Sequence, residues 1–232
     1  MLLALSDGQA EETVDVELIL AVDVSGSIDE DEARLQRQGY IDAIMNALVI
    51  DAIKSGPLQR IALTYFEWSG DYHQRTVVDW MVIDGERTAQ AFTQALAEAP
   101  LVKANRTSIS AAIDYAQKQF ARNSVEGTRK VIDISGDGYN NIGRSVTDAR
   151  DDALAQGTII NGLPIINENP NPYGRPGPKD LDEYFRDYVI GGPGSFVIVA
   201  HSFNDFSNAI LNKLIREIAD AGAKPSTFAA IQ

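Results

Sequence analysis

The sequence predicts an α/β fold: a doubly wound, mostly parallel six-stranded sheet with one antiparallel edge strand and helices on both faces. Three observations lead there. Short apolar runs alternate along the chain with segments whose apolar residues recur every three or four positions. Such alternation builds parallel strands joined by crossover helices, with both sheet faces covered. Only SGDYHQ separates the runs 60–68 and 75–83, so these two form a hairpin and supply the antiparallel edge.

The elements follow in order. Val16–Val24 reads as a buried strand. Asp29 or Ser27 can cap the next helix, with Glu32 or Glu30 as capping-box partner. Ile41, Ile44, Met45 and Leu48 mark its apolar face, and SGPLQ ends it in a turn. Arg60–Trp68 and Arg75–Ile83 are the hairpin strands. Helices follow at 86–98, with Ala89, Phe92 and Leu96 inward, and at 108–121, with Ile109, Ala112, Ile113, Ala116 and Phe120 inward. Arg129–Ser135 is a strand ending in GDGYNN. A helix at 145–156 stops at Gly157, and Thr158–Ile166 is a strand interrupted by Asn161-Gly162. Prolines crowd Asn167–Asp180, which is therefore a loop. A helix at 181–189, a last strand Ser195–Ala200 and a last helix at 204–219 complete the set. That last helix turns Leu211, Leu214, Ile215 and Ile218 inward. The expected organisation is a flexible segment 1–14, one domain over 15–220 and a tail over 221–232.

Bulk composition narrows the function. The chain has 232 residues, enough to bury a sizeable core, and a net charge of −13. That charge repels phosphate backbones and anionic lipid, so no nucleic acid and no membrane insertion are expected. It attracts cations. No run approaches the roughly 18 apolar residues of a membrane helix. Without cysteine there are no disulfides, thiolate zinc sites or cysteine nucleophiles. The start, MLLALSDGQAEET, reads equally as a signal-peptide remnant or as a disordered terminus.

The chemistry lies at strand ends. Ligands of doubly wound sheets bind there, beside the switch in strand order. Asp23-x-Ser25-x-Ser27 follows the first strand, Thr107 precedes the helix of 108–121, and Asp137 follows RKVIDIS. A lone buried carboxylate at Asp23 would be costly, so a cation beside it is one reading and helix capping by the loop is the other. All five side chains offer oxygen, a set that favours the hard cations Mg²⁺, Ca²⁺ or Mn²⁺. Three are neutral hydroxyls, so a bound ion keeps most of its charge. It then attracts a carboxylate from a protein partner.

DVSGS at 23–27, the threonine of NRTS and the aspartate of SGDG resemble the three-part metal-ion-dependent adhesion site of von Willebrand factor A domains. The element order is similar to that fold over residues 15–220. YFEWSG (65–70), VIDISGDGYNNIG (131–143), INGLPI (160–165) and VIGGPGSF (189–196) further resemble a bacterial branch whose members mostly carry secretion signals. The resemblance implies a metal-dependent, adhesion-type protein-binding module, not an enzyme, located in the periplasm or outside the cell. Two departures stand out. Asn105 and Arg106 precede Thr107 where small residues are usual, and Ser135-Gly136 precedes Asp137.

Other signals have simpler readings. Glu67 is expected as an exposed hairpin residue rather than a ligand. Asn140 and Asn141 are expected as turn formers. DGYNNIG lacks the spacing of a calcium loop, and GGPGS lacks the lysine of a phosphate-binding loop. His73 and His201 sit in no hydrolase motif. Asn105-Arg106-Thr107 fits a glycosylation sequon, but a glycan there would block the threonine loop. A metal-dependent hydrolase of phosphate esters is the alternative function. It would need a second acid where Ser25 stands, or a cation to hold phosphate.

Overall fold

The computed structural model describes residues 12–166, 174, 177–202 and 205–219. The flexible segment expected at 1–14 lies mostly outside them, as do the tail and most of the proline-rich loop. Glu12–Val14, however, forms a strand, β1.

The main sheet contains β2 (Glu17–Asp23), β3 (Ile61–Trp68), β4 (Gln74–Ile83), β6 (Lys130–Gly136) and β7 (Thr158–Pro164) in the order β4-β3-β2-β6-β7. Only the β3–β4 hairpin is antiparallel. β2 is central, and the chain passes first to one side of it and later to the other. Its carboxyl end is therefore the switch point. The short β5 (Val125–Gly127) pairs in parallel with β1 beside the start of β2 and β6.

The sheet has five laddered strands where six were expected. Residues 195–200 run parallel to β7 in strand register, touching it at the bridges Gly162–Val197 and Ile165–Ala200. Gly162 donates to Phe196, Ile198 to Gly162, Ala200 to Pro164 and Ile166 to Ala200. The missing rung is the one Pro164 would donate, and proline has no N–H. The sixth strand is thus an interrupted edge.

Alternation along β2 divides the core. Leu18, Leu20 and Val22 face one side, packing with α1 (Glu30–Ile44), α2 (Ala47–Ser55), α3 (Glu86–Glu98) and α7 (Phe206–Ala219). Ile19 and Ala21 face the other, under α4 (Ile109–Phe120), α5 (Val146–Ala155) and α6 (Leu181–Tyr184). A π-helical turn, Phe185–Val189, extends α6.

Capping sets the helix limits. Asp29 and Glu32 form the capping box of α1, at 2.8 and 2.9 Å. The helix expected through Leu48 breaks after Ile44, because Asn46 caps a new helix through the Leu48 N–H at 3.0 Å. Met45 and Leu48 are consequently exposed.

The buried face of α7 also differs from expectation. Leu211 and Ile215 are only half-buried, whereas Lys213 and Glu217 are fully enclosed. Lys213 Nζ lies 2.7 Å from Asp133 Oδ1, in the middle of β6, and also pairs with Glu217. Asn161 donates to Glu217 at 2.9 Å, and Phe196 N–H donates to Asn161. This ionic cluster fastens α7 and the interrupted edge to the sheet. At the same end of α7, the Arg129 guanidinium, just before β6 begins, donates to the Glu217 carbonyl.

Candidate metal centre

Asp23 ends β2 and is completely buried. Its Oδ1 accepts the Ser25 N–H at 2.7 Å, an Asx turn that bends the chain off the sheet. Ser25 and Ser27 hydroxyls lie 3.2 Å apart, and Ser27 donates to Asp137 Oδ1 at 2.7 Å. Asp137 directly follows β6, the parallel neighbour of β2.

The Thr107 loop docks on the same rim. Thr107 N–H donates to Asn141 Oδ1 at 3.1 Å, and Asn141 N–H returns to the Thr107 carbonyl at 2.8 Å. Ser108 N–H donates to the Ser69 carbonyl at 2.7 Å, and Ala104 N–H to Val24. Asn140 accepts from Ser110 N–H, fixing the start of α4. Thr107 is buried, and its hydroxyl faces Gly138, 3.6 Å from where a Cβ on that glycine would stand. Asp23, Ser25, Ser27 and Asp137 are thus linked in one chain of contacts, and Thr107 lies against the Asp137 loop.

The electrostatics of this cluster are unbalanced. Asp23 Oδ2 is buried without a hydrogen-bond partner. It faces Gly136, where a Cβ would stand 3.1 Å away. Burial, then the Asp137 charge, pushes the Asp23 carboxyl well above its ordinary range. Burial also raises Asp137 to about 6, against the Ser27 hydroxyl bond and helped by Glu32. Two carboxylates disfavour each other's ionised form unless a positive charge joins them. Neither makes an ion pair with a described residue. An orphaned oxygen, glycines that keep space beside it, and hydroxyls around it fit a divalent cation. No group of three or more His, Cys, Asp or Glu suited to a metal exists among the described residues. A cation here would therefore lean on hydroxyls.

Several residues behave differently from their sequence reading. Glu67 is buried, not exposed: it lies between Arg37 and Arg75, the latter at 2.8 Å. Arg37 also bonds the Ala99 carbonyl and Arg75 the Pro100 carbonyl, so this clamp holds the segment leading to Thr107. Asn141 is a clasp between loops rather than a simple turn former. Ser69 was not singled out in the sequence, and its isolated serine pattern carries no such signal. Ser135 turns away from the site and accepts from Tyr40 at 3.2 Å.

Arg106 is exposed and makes no ion pair among the described residues. Its φ of 73° is the left-handed region that favours glycine. Arg106→Gly is therefore expected to raise stability by up to about 1 kcal/mol, offset in part by the freer unfolded chain. Urea unfolding measures it, and a clear loss of stability would show that the arginine side chain outweighs the strain.

Comparisons with known proteins agree with this architecture. No curated protein sequence matches the chain. A pilus adhesin, SpaC from Lactobacillus rhamnosus GG, aligns with TM-score 0.64 and 15% identity over 90% of this chain and 31% of its own. Proximal thread matrix protein 1 from the mussel byssus, with a zinc-occupied MIDAS motif, gives 0.59 and 13%, over 91% of this chain and 48% of its own. The von Willebrand factor type A structure from Catenulispora acidiphila gives 0.57 and 13%, over 91% and 43%. The chain thus spans less than half the length of each. These likenesses establish a von Willebrand factor A-type fold. Residues 13–222 match the model of one family, and the chain belongs to that family, described as Protein of unknown function (DUF1194).

Proposed function

We propose that this domain is a divalent-cation-dependent protein-binding module of the adhesion type, without catalytic function. The observation that carries the reading is the uncompensated pair Asp23 and Asp137, joined through Ser25 and Ser27 and faced by the Thr107 loop. Asp23, Ser25, Ser27, Thr107 and Asp137 would hold Mg²⁺, or Ca²⁺ or Mn²⁺ in its place. The ion would supply an open coordination position for an Asp or Glu of a protein partner. The chain's own part is to hold the oxygens at one rim, with the Asn141 clasp and the Arg37–Glu67–Arg75 clamp fixing the loops. Support comes from the MIDAS motif of the mussel protein and from the pilus adhesin among the structural neighbours. The same reading places the module outside the cytoplasm, in the periplasm or beyond the cell. No helix among the described residues is long and apolar enough to cross a membrane.

The test is unfolding with Mg²⁺, Ca²⁺ or Mn²⁺ after chelation. At about 100 times the dissociation constant, the gain should be about 2.7 kcal/mol. Asp23→Ala should abolish the gain, and should also abolish chelator-sensitive capture of partner protein. A wild-type domain indifferent to all three ions at millimolar concentration would end the proposal.

A further inference from the structure

Beside the Asp137 loop lies a second concavity with a different chemistry. Its volume is about 550 Å³, and Tyr139, Tyr184, Tyr188, Asp180, Glu183 and Asp187 line it. The three tyrosine rings form one cluster. Tyr139 and Tyr184 meet edge to face at 4.8 Å, and Tyr184 and Tyr188 lie 5.3 Å apart. Tyr139 and Tyr188 are among the few large apolar side chains left exposed. The cluster is built, not loose. Asn140 N–H donates to the Tyr184 hydroxyl, and Tyr139 donates its hydroxyl to Asp180. The π-helical turn brings Asp187 and Tyr188 to the same wall as Glu183 and Tyr184.

The charges are left open. Among the described residues, no lysine or arginine lines the concavity. Of the described cations nearby, Arg186 pairs with Asp182 at 2.7 Å, Arg150 pairs with Asp151 at 2.8 Å and bonds the Asp187 carbonyl, and Lys179, next to Asp180, does not line the concavity. The carboxylates of Glu183 and Asp187 have no hydrogen bond or ion pair among the described residues. Aromatic faces carry negative potential, and carboxylates beside them add to it. These acids are exposed and keep their charge in water, so the concavity attracts a cationic group and repels an anion.

We infer that this tyrosine–carboxylate concavity is a binding site for an arginine side chain of a protein partner, separate from the metal centre. A planar guanidinium can stack on a tyrosine ring while its N–H groups reach a carboxylate. A lysine ammonium can do the first only as a point charge. The volume is ample for one such side chain and the peptide segment that carries it.

The site is tested by NMR titration of the chelated protein with N-acetyl-arginine amide, with N-acetyl-norleucine amide as the uncharged control. Saturable shifts are expected at Tyr139, Tyr184 and Tyr188 with the arginine probe alone, weakening as salt rises. Glu183→Gln with Asp187→Asn, and separately Tyr188→Ala, should each weaken binding about fivefold or more. Both variants should keep the wild-type melting temperature and the wild-type response to Mg²⁺, so this result stands apart from the metal reading. Equal shifts with norleucine, no saturation with arginine, or unchanged affinity in both variants would overturn the inference.

Discussion

Replacing Lys213 with methionine is expected to lower unfolding stability by about 3–5 kcal/mol at neutral pH, the scale for breaking a buried ion pair on one side. Lys213, Asp133 and Glu217 are all enclosed between α7 and β6. Tyr40 from α1, Ser135 and Asn161 are the other polar groups facing them. Without the ammonium, two carboxylates share a dry space. Burial already raises Asp133 to about 7 despite Lys213, and the Glu217 charge adds to it. A raised carboxyl favours the folded state at low pH. That contribution is complete below about 4 and fades as pH rises through about 7. Removing the lysine pushes the fade higher, so the deficit should be larger at pH 8 than at pH 5. Adding Asp133→Asn should return part of the loss. Denaturant unfolding of the three proteins at both pH values decides. A deficit under about 1 kcal/mol, or one that shrinks with rising pH, contradicts the account.

Glu67→Ala should cost about 3 kcal/mol, the lower end of the same scale because Arg75 is partly exposed. It leaves two guanidinium groups facing each other with no anion between them. The loss should also spread. Arg37 and Arg75 hold the Ala99 and Pro100 carbonyls, and that segment leads directly to Thr107. The Mg²⁺ titration midpoint of Glu67→Ala should therefore move to higher concentration, with Glu67→Gln intermediate in both measurements. An unchanged midpoint in a clearly destabilised variant would separate the clamp from the rim.

The grouping of the candidate residues at one rim was more legible in the sequence than the scaffold's polar interior. The places of Asp23, Ser25, Ser27 and Asp137 were legible because each follows a strand end fixed by hydrophobic pattern, and that of Thr107 because it precedes a helix with a clear apolar face. Asp29 and Glu32 were legible because a capping box is local. Glu67 was not, since its partners Arg37 and Arg75 come from another helix and another strand. A polar residue beside a hairpin turn looks solvated until those partners are in place. Lys213 and Glu217 carried no signal in the sequence for the same reason. Asp133, which draws them inward, lies eighty residues upstream, in an otherwise apolar run. The β1–β5 pairing left no trace because three-residue strands are too short to show a period. Pro164 was visible all along, but its effect needed the register of residues 195–200 against β7.

The pairing of β1 with β5 and the bond from Arg129 to the end of α7 share one geometric result. Both points where the described chain enters and leaves the domain sit at the pole opposite the candidate rim. A fusion or surface linkage made through either side would leave the rim pointing into free solution. Immobilised protein should therefore capture a partner with the same cation requirement whichever side is attached.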